Sequence, residues 1–260
     1  MKIYFITQDE PFYLPAFFEY FFSRNNHEIL GITILKPDAP KQGKLKFIWE
    51  HFQFFGFANF LIYSFAFVFY KIMAKISRIF NIKTRYSVRN VVLNYKVPLY
   101  SAIHINEPDF LKFLQKIKPD VIVSVASSQV FKKDILSIPS IGCVNVHGAP
   151  LPKYRGKMPG FWALANGEKE TAVTVHYMDE KLDNGPIILQ RPVIIDDNDT
   201  LDSLLKKSKR IAAEALNEAL DQIEKGTEQI QENDASQATY FSFPTKQDVR
   251  KFLARGRKFR

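Results

Sequence analysis

Apolar and polar positions along the chain follow two periods. Short apolar or alternating runs are typical of strands, and they occur at residues 2–7, 27–35, 87–93, 97–101, 119–125, 142–146, 171–178 and 187–195. Apolar residues three and four positions apart predict helices, at residues 10–24, 107–118, 158–166, 199–225 and 245–257. Asn106 and Thr245 are the expected N-caps of two of them. Strands that alternate with helices indicate an α/β fold class, with a mostly parallel sheet flanked by helices.

Residues 43–86 interrupt this alternation. From residue 52 to residue 70 the chain carries no charged side chain and holds eight phenylalanines. We predict a helical insertion that is aromatic in its first part and basic in its second. Its apolar length approaches that of a membrane-spanning helix. A spanning helix is disfavoured, because it would place the two halves of one sheet on opposite sides of a bilayer.

The net charge of +9 is concentrated around this insertion. Between residues 41 and 90 nine basic residues accompany a single acid, Glu50, which gives a local charge of +8. Two interpretations of the insertion stay open. In the first, it packs on the protein's own core or across a homodimer. In the second, a pair of helices lies on an anionic membrane surface, with aromatic residues at the headgroup boundary.

A chain of 260 residues, 46% of them hydrophobic, can build one large domain with appendages. We expect a catalytic domain at residues 1–226, with the insertion at 43–86, and a C-terminal extension at 227–260. The single cysteine, Cys143, excludes a disulfide framework and is expected as a buried thiol. No secretory signal is evident at the start, so a cytoplasmic location is expected, peripheral at the inner face of the membrane under the second interpretation. No Gly-x-Gly-x-x-Gly motif follows the first strand, which disfavours a dinucleotide cofactor.

The candidate chemistry begins with two polar residues near the end of a predicted strand. Asn145 and His147 are two positions apart, so their side chains point to the same face. Asp183 lies further along, in a turn sequence at residues 182–185. An amide, an imidazole and a carboxylate together can polarise a carbonyl and move a proton. Each of these residues taken alone is more often structural, and His176 is expected to support the site rather than to catalyse.

Several motifs follow one another in a fixed order. They are Asn145-x-His147, Leu151-Pro152-x-x-Arg155-Gly156, the run at 174–179 and Leu182-Asp183-x-Gly185. Together they resemble the folate-dependent formyltransferase family, across roughly residues 88–195. That family includes methionyl-tRNA, glycinamide ribonucleotide and sugar-nucleotide formyltransferases. One departure is Ala149-Pro150, where the family usually has Ser-Leu, so small contacts near the site are expected to differ.

The resemblance implies a Rossmann-like fold and formyl transfer from 10-formyltetrahydrofolate to a primary amine, with no metal. It implies that Asn145 and His147 donate hydrogen bonds to the formyl oxygen. Asp183 would orient His147 and relay a proton. The resemblance also places the folate against six residues near a strand end and the Asp183 turn, which are Ser128, Gln129, Val130, Phe131, Asp179 and Leu182.

Features that other family members have outside these motifs narrow the choice of amine acceptor. The glycinamide ribonucleotide enzyme has a Gly-Ser-Asn phosphate turn where residues 8–11 here read Gln-Asp-Glu-Pro, so that acceptor is disfavoured. Methionyl-tRNA formyltransferases add a C-terminal barrel, for which the 34 residues after Gly226 are expected to be too few. We therefore expect an amino sugar, nucleotide-linked or lipid-linked, in cell-envelope glycan synthesis.

Two alternatives stay open beside this expectation. One is a methionyl-tRNA formyltransferase-like activity, although the aromatic content of residues 43–86 suits a lipid surface or a packed interface better than nucleic acid. The other is a non-catalytic folate- or nucleotide-binding module that docks through residues 43–86. Such a module would have no physical need for Asn145, His147 and Asp183 together.

Overall fold

The structure is a computed structural model that describes residues 1–36 and 43–260. The strands are β1 (Lys2–Gln8), β2 (Glu28–Leu35), β3 (Leu99–Ala102), β4 (Val121–Val125), β5 (Gly142–His147), β6 (Arg155–Gly156), β7 (Glu170–Tyr177), β8 (Ile187–Ile194) and β9 (Tyr240–Phe241). The α-helices are α1 (Leu14–Phe22), α2 (Lys44–Ile79), α3 (Val88–Asn94), α4 (Pro108–Ile117), α5 (Lys133–Leu136), α6 (Pro159–Asn166), α7 (Leu201–Lys225) and α8 (Lys246–Ala254).

In the described residues, seven strands form the main sheet in the order β3-β2-β1-β4-β5-β7-β8. The neighbours from β3 to β5 are parallel, and β7 and β8 are antiparallel. The sheet is therefore mostly parallel and flanked by helices, as predicted. Because parallel strands end at one edge, the carboxyl ends of β1, β4 and β5 lie side by side, where α/β proteins commonly bind ligands.

Helices cover both faces of the sheet. Residues of α1, α3, α6 and α7 pack in one apolar cluster, and residues of α4 and α5 pack in the other. The aromatic stripe of α1 is core: Phe18 and Phe21 lie 5.6 and 5.0 Å from the ring of Phe5 on β1. Burial on both faces gives β1 and β4 their near-continuous apolar sequences.

The prediction of a strand at residues 87–93 is wrong. Ser87 caps a helix here, because its Oγ accepts the N–H of Asn90 at 3.1 Å. Val88, Val91 and Val92 then share the buried side at helical spacing. Asn106 is not the N-cap of α4; its amide donates to Val130 O at 2.9 Å and its oxygen accepts the N–H of Lys132 at 3.1 Å.

The insertion is helical, as predicted, and it bends at Gly56. There φ is 70° and ψ is 169°, a conformation that is essentially restricted to glycine. By length and composition the segment Leu45–Ile79 could cross a membrane, and only 6% of its most apolar window is buried. Packing on the protein's own core therefore accounts for a minor part of the insertion. Lys41, one of the nine basic residues counted above, lies outside the described residues.

Residues 227–260 add to the body of the protein. β9 pairs with β6, with Tyr240 opposite Arg155. Phe252 of α8 and Phe259 lie in the same apolar cluster as α1 and α7. Thr245 caps α8 as predicted, through its Oγ1 and the N–H of Asp248.

Candidate active site

Strand β5 delivers two polar side chains to the edge of the sheet. Asn145 pairs with His176 of β7, and His147 ends the strand. Both side chains alternate with Val144, whose side chain lies in the cluster under α1 and α7. Asn145 and His147 therefore share the opposite face of the sheet, as their two-residue spacing predicts.

Asp183 meets these residues from the loop between β7 and β8. Its Oδ2 lies 3.6 Å from His147 Nδ1 and its Oδ1 lies 3.5 Å from Asn145 Nδ2. Oδ2 also accepts the N–H of Gly156 at 2.9 Å, which fixes the carboxylate. The backbone at Asp183 has φ of 49°, a left-handed conformation that aspartate tolerates better than most residues. The three predicted catalytic side chains thus converge, and their role in catalysis stays a prediction.

The hydrogen bonds of His147 assign its two nitrogens different tasks. Nε2 lies 2.9 Å from the carbonyl oxygen of Tyr154, so it carries a hydrogen and donates it. Nδ1 faces Asp183 and is the nitrogen that can take up or release a proton. The carboxylate of Asp183 lies 3.6 Å from this nitrogen, so an imidazole and a carboxylate stand together where a proton leaving a substrate can be relayed.

His176 orients Asn145 rather than taking part in proton transfer. Its Nδ1 donates to the carbonyl of Tyr177 at 2.7 Å, which leaves Nε2 to accept from Asn145 Nδ2 at 3.2 Å. Burial holds the pKa of His176 well below its usual value, so the ring stays neutral and remains an acceptor. One hydrogen of the Asn145 amide is thereby fixed. The other makes only the long 3.5 Å contact with Asp183, so it is available to a substrate oxygen.

A buried arginine holds the Asp183 loop in place. Arg155 is fully buried, and its Nη1 donates to Asn184 Oδ1 and to Tyr240 Oη, both at 2.9 Å. Its Nη2 donates to Asn233 Oδ1 at 2.8 Å. Asn233 in turn donates to the carbonyls of Asp183 and Gly185, both at 3.0 Å. Arg155 and Asn233 are thus positioning residues that the sequence reasoning missed.

The signals for these two residues differ. Arg155 stands in a motif that the sequence reasoning quoted, beside a glycine whose N–H binds Asp183, and a site role could have been inferred from that. Asn233 lies in the polar run 227–237, which predicts only a loop. Nothing in that run distinguishes Asn233 from its neighbours.

The predicted folate residues after β4 lie at the edge of the sheet and differ in exposure, and their contact with folate stays a prediction. Ser128 and Val130 are exposed in the loop. Gln129 anchors a neighbouring loop through its Oε1, which accepts the N–H of Ile105 at 3.0 Å. Phe131 is 2% exposed and packs in the core under α4, so the prediction that it lines the folate site applies at most to its backbone.

The two other predicted folate residues lie in the Asp183 loop. Asp179 shapes this loop, because its carboxylate accepts from Asn184 Nδ2 at 2.6 Å and from the N–H of Lys181 at 2.8 Å. Leu182 is 57% exposed, so it presents an apolar side chain beside Asp183. The exposed apolar side chains of Leu182 and Val130, together with the exposed loop at Ser128, suit a flat aromatic ligand.

Neither of two surface cavities includes Asn145, His147 or Asp183 in its lining. One of about 370 Å³ is bounded by the loop after β5 and by β7 and β8, and its lining includes Leu151, Tyr154 and Gln190. The other, of about 540 Å³, lies at the end of β3 and the start of α4. Tyr154 lines the first cavity and accepts the hydrogen bond of His147, so this cavity lies next to His147.

Among the described residues, the potential metal ligands that come together are His27, Asp221 and Glu224. They lie at the start of β2, at the opposite end of the sheet from Asn145. His27 Nε2 is 3.2 Å from Asp221 and its Nδ1 is 3.3 Å from Glu224, so the carboxylates use different ring nitrogens. The amino group of Met1 also contacts Glu224. Burial lowers the pKa of His27, so the positive charge beside Glu224 is the amino group of Met1 rather than the ring. The absence of a metal from the reaction stays a prediction.

The sequence model described as formyl transferase matches residues 75–220, more than half of the chain. The chain belongs to this family, which confirms the resemblance. It is 43% identical over 139 residues to the methionyl-tRNA formyltransferase of Clostridioides difficile (strain 630), covering 54% of this chain and 45% of that protein. It is 37% identical over 162 residues to that of Thermotoga maritima, covering 62% and 52%. The chain spans about half the length of the curated relatives it matches.

Solved structures of the family share the fold. A sugar 3N-formyl transferase in the presence of dTDP and 5-N-formyl-THF has a TM-score of 0.60 at 17% identity, covering 93% of this chain and 69% of that one. The phosphoribosylglycinamide formyltransferase of Bacillus halodurans has a TM-score of 0.59 at 18% identity, covering 86% and 95%. These likenesses confirm the Rossmann-like α/β fold.

Proposed function

We propose that this protein transfers a formyl group from 10-formyltetrahydrofolate to a primary amine. The observation that carries the proposal is the convergence of Asn145 and His147 on the carboxylate of Asp183, at 3.5 and 3.6 Å, at the carboxyl end of β5 in a formyl transferase family member. The geometry of donors and carboxylate suits acyl transfer to nitrogen.

The first step is attack of the amine nitrogen on the formyl carbon. Negative charge then develops on the formyl oxygen, and the free hydrogen of Asn145 Nδ2 donates to it. His147 adds a second donor once its Nδ1 has taken up the proton that the attacking amine releases. Loss of one such donor costs about 3–4 kcal/mol of transition-state stabilisation in comparable enzymes.

The second step moves one proton and breaks one bond. The attacking nitrogen becomes positively charged and releases a proton to the His147–Asp183 pair, directly or through water. The bond between the formyl carbon and N10 of the folate then breaks, and the His147–Asp183 pair passes the same proton on to N10. The products are a formamide and tetrahydrofolate, so atoms and charges balance.

For the acceptor we propose an amino sugar, nucleotide-linked or lipid-linked. The N-terminus of α1, a ready anion site in this fold, is filled by Glu10: its carboxylate accepts the N–H groups of Phe12, Tyr13 and Leu14 at 2.6, 2.9 and 3.1 Å. This supports an acceptor whose recognition does not use a phosphate at that helix. A solved N-formyltransferase of Helicobacter canadensis, in complex with folinic acid and dTDP-3-aminofucose, has a TM-score of 0.60.

A second candidate is methionyl-tRNA, which the 43% identity to the Clostridioides difficile enzyme favours. The two candidates predict different winners in one assay. Tetrahydrofolate release is followed by absorbance with dTDP-linked and UDP-linked amino sugars, a polyprenyl-linked amino sugar and methionyl-tRNA. Turnover with an amino sugar alone supports our proposal, and turnover with methionyl-tRNA alone replaces the acceptor.

The same assay tests the chemistry. If none of the amines is formylated, and His147→Ala leaves the affinity for 5-formyltetrahydrofolate unchanged, the non-catalytic binding module is the better description. His147→Gln, which can still donate to Tyr154 O, is the companion variant that separates loss of folding from loss of proton transfer.

A further inference from the structure

The second part of α2, residues 57–79, has two unlike sides. At about 1.5 Å per residue it is a rod of about 34 Å. One side, here the inner stripe, consists of residues turned toward the protein: Tyr63, Tyr70, Met73, Ala74 and Ser77. The other side, here the outer face, consists of exposed apolar residues at helical spacing: Phe57, Leu61, Phe65, Val68, Ile72, Ile76 and Ile79.

The inner stripe is attached to the protein along its length. Tyr63 and Tyr70 make edge contacts with Phe12 at 5.7 and 5.6 Å. Asn90 donates to the carbonyl of Ala74 at 3.3 Å. Because both halves of the rod rest on one globular body, it cannot run along a membrane normal. Its axis lies flat on the protein, and the outer face points away from it.

The first part of α2 extends the same apolar surface. Phe54 is 1% exposed and holds this part to the core through Phe161 and Phe259, at ring distances of 5.2 and 5.1 Å. Leu45 and Trp49, by contrast, are exposed. The described insertion therefore carries an exposed apolar surface on both sides of the bend at Gly56, larger than a soluble surface tolerates without a partner.

Basic side chains frame this surface. Lys75 lies within the outer face, three residues after Ile72 and four before Ile79. The exposed basic residues of the described insertion and of the turn after it are Lys46, Lys71, Lys75, Arg78, Lys83 and Arg85, of which Lys71 is paired with Asp9 and Arg85 with Glu19. Glu50 is the only acid between residues 43 and 86. A partner must therefore offer both an apolar layer that can bury the exposed side chains and negative charge that can pair with the basic ones.

These two demands select one partner. A second copy of the chain, related by a two-fold axis, would set basic side chains against basic side chains. Nucleic acid offers phosphates, but its surface has no apolar layer in which Phe65 or Ile72 could be buried. We propose that α2 docks the protein on an anionic lipid bilayer, with its axis in the membrane plane and its outer face at the boundary between headgroups and acyl chains.

Vesicle flotation tests this proposal on the full chain. Phosphatidylcholine vesicles with about one third phosphatidylglycerol should carry the protein upward, and pure phosphatidylcholine vesicles should carry little. Half-molar salt should weaken the binding, because it screens the charges but leaves the outer face unchanged.

Two double variants, each with a matched control, test whether the basic residues and the outer face make the contact with the membrane. Lys75→Glu with Arg78→Glu should weaken binding to the anionic vesicles at least tenfold. Its control, Lys112→Glu with Lys116→Glu, makes the same charge change on exposed residues of α4, on the opposite side of the sheet, and should have a small effect. Phe65→Ser with Ile72→Ser should also weaken binding at least tenfold, whereas Leu93→Ser with Leu253→Ser, also exposed, should not.

Orientation has its own measurement. Trp placed by Phe65→Trp or by Ile79→Trp should be quenched equally by lipids brominated close to the headgroup, because both positions lie at one depth. Recovery of the protein in the lower fraction whatever the lipid overturns the proposal. So does dimerisation or tRNA binding that the outer-face or Lys75/Arg78 variants abolish while no vesicle binding is seen.

Discussion

At the scale of single residues, Arg155 shows how a buried charge can position a carboxylate that it never touches. Its guanidinium lies at 0% exposure and donates to Asn184, Asn233 and Tyr240. Two of these partners belong to the chain after α7, so the Asp183 loop is held from outside the segment that matches the family. The planar fork of arginine serves all three acceptors at once, which a lysine cannot do.

Arg155→Lys is therefore expected to lower the free energy of unfolding by about 3 kcal/mol, since buried acceptors lose their donors at roughly 1–3 kcal/mol each. Urea unfolding followed by fluorescence measures this. Arg191→Lys is the control: it keeps a charge at a half-exposed residue paired with Glu218 and should change stability by less than about 0.5 kcal/mol. Equal effects of the two variants would contradict the role given to Arg155.

Asp183→Asn tests the proton relay. The variant keeps the shape of the side chain and an acceptor for the Gly156 N–H, but it removes the charge beside His147 Nδ1. We expect kcat to fall roughly 10²–10⁴-fold, with folate binding nearly unchanged. The control is Asp197→Asn, at an exposed ion pair with Lys169. A kcat within threefold of the wild type would remove Asp183 from the mechanism.

The neutral state of His176 predicts a pH dependence of stability. Burial lowers its pKa in the folded protein, while in the unfolded chain it titrates near the ordinary value of about 6.5. Below that pH the unfolded state takes up a proton that the folded state refuses, so stability falls as pH drops. The slope for one proton is up to about 1.4 kcal/mol per pH unit.

His176→Asn should remove that contribution, since asparagine can accept from Asn145 without titrating. Denaturant melts between pH 7 and pH 5 should show a shallower slope for the variant than for the wild type. His104→Asn, at an exposed histidine, should keep the wild-type slope. If His176→Asn is as pH-sensitive as the wild type, His176 does not stay neutral.

How far the site could be predicted depends on the sequence range of each contact. That Asn145 and His147 share one face of the sheet could be predicted from the strand alone, because side chains two residues apart on a strand point to the same side. Asp183 joined them only through the family resemblance, since nothing local brings a turn 36 residues downstream onto β5. Asn233 and the hydrogen bond from Asn145 to His176 depend on pairings across the sheet and the tail, which no local pattern encodes.

At the scale of elements, the strands with buried faces were predictable and the short apolar runs were not. β1, β4 and β5 are buried between helices, and their apolar runs identify them within two residues. The apolar residues at 87–93 fit both the strand period and the helix period, and the hydrogen bond between Ser87 and Asn90 stabilises the helix. Similarly, α1 begins at Leu14, four residues after its predicted start, because Glu10 caps it from outside.

The bend in α2 gives a prediction at this scale. Gly56→Ala should lower stability by about 1–3 kcal/mol, because φ of 70° with ψ of 169° excludes a Cβ on backbone grounds. An added Cβ would meet nothing within 4 Å, so packing does not contribute. Gly226→Ala, in equally open space but at φ of 62° and ψ of 34°, should cost only about 1 kcal/mol.

Thermal and urea unfolding of the two alanine variants measure the difference. If Gly56→Ala instead leaves stability unchanged and raises the helical signal in circular dichroism, α2 straightens without cost.

At the scale of the whole molecule, the predicted division at residue 226 separates segments that share one core and one site. Phe252 stacks on Phe161 at 5.1 Å, and Phe259 packs on Phe54 at 5.1 Å. Asn233 and Tyr240 complete the contacts of Arg155. Sequence patterning assigned residues 227–260 to an extension because this segment begins with a polar run, and polarity does not reveal long-range packing.

A chain ending at residue 226 is therefore expected to lose its cooperative unfolding transition. Removal of Phe252 and Phe259 costs about 3–5 kcal/mol each, which together approaches the 5–15 kcal/mol that a domain has. The unpaired Arg155 adds to this. Phe252→Ala should lower the free energy of unfolding by about 3–5 kcal/mol. Leu253→Ala, at an exposed position on the same helix, should lower it little. If the shortened chain unfolds at the urea midpoint of the full chain, residues 1–226 form an independent domain, and the positioning of the Asp183 loop must come from within them.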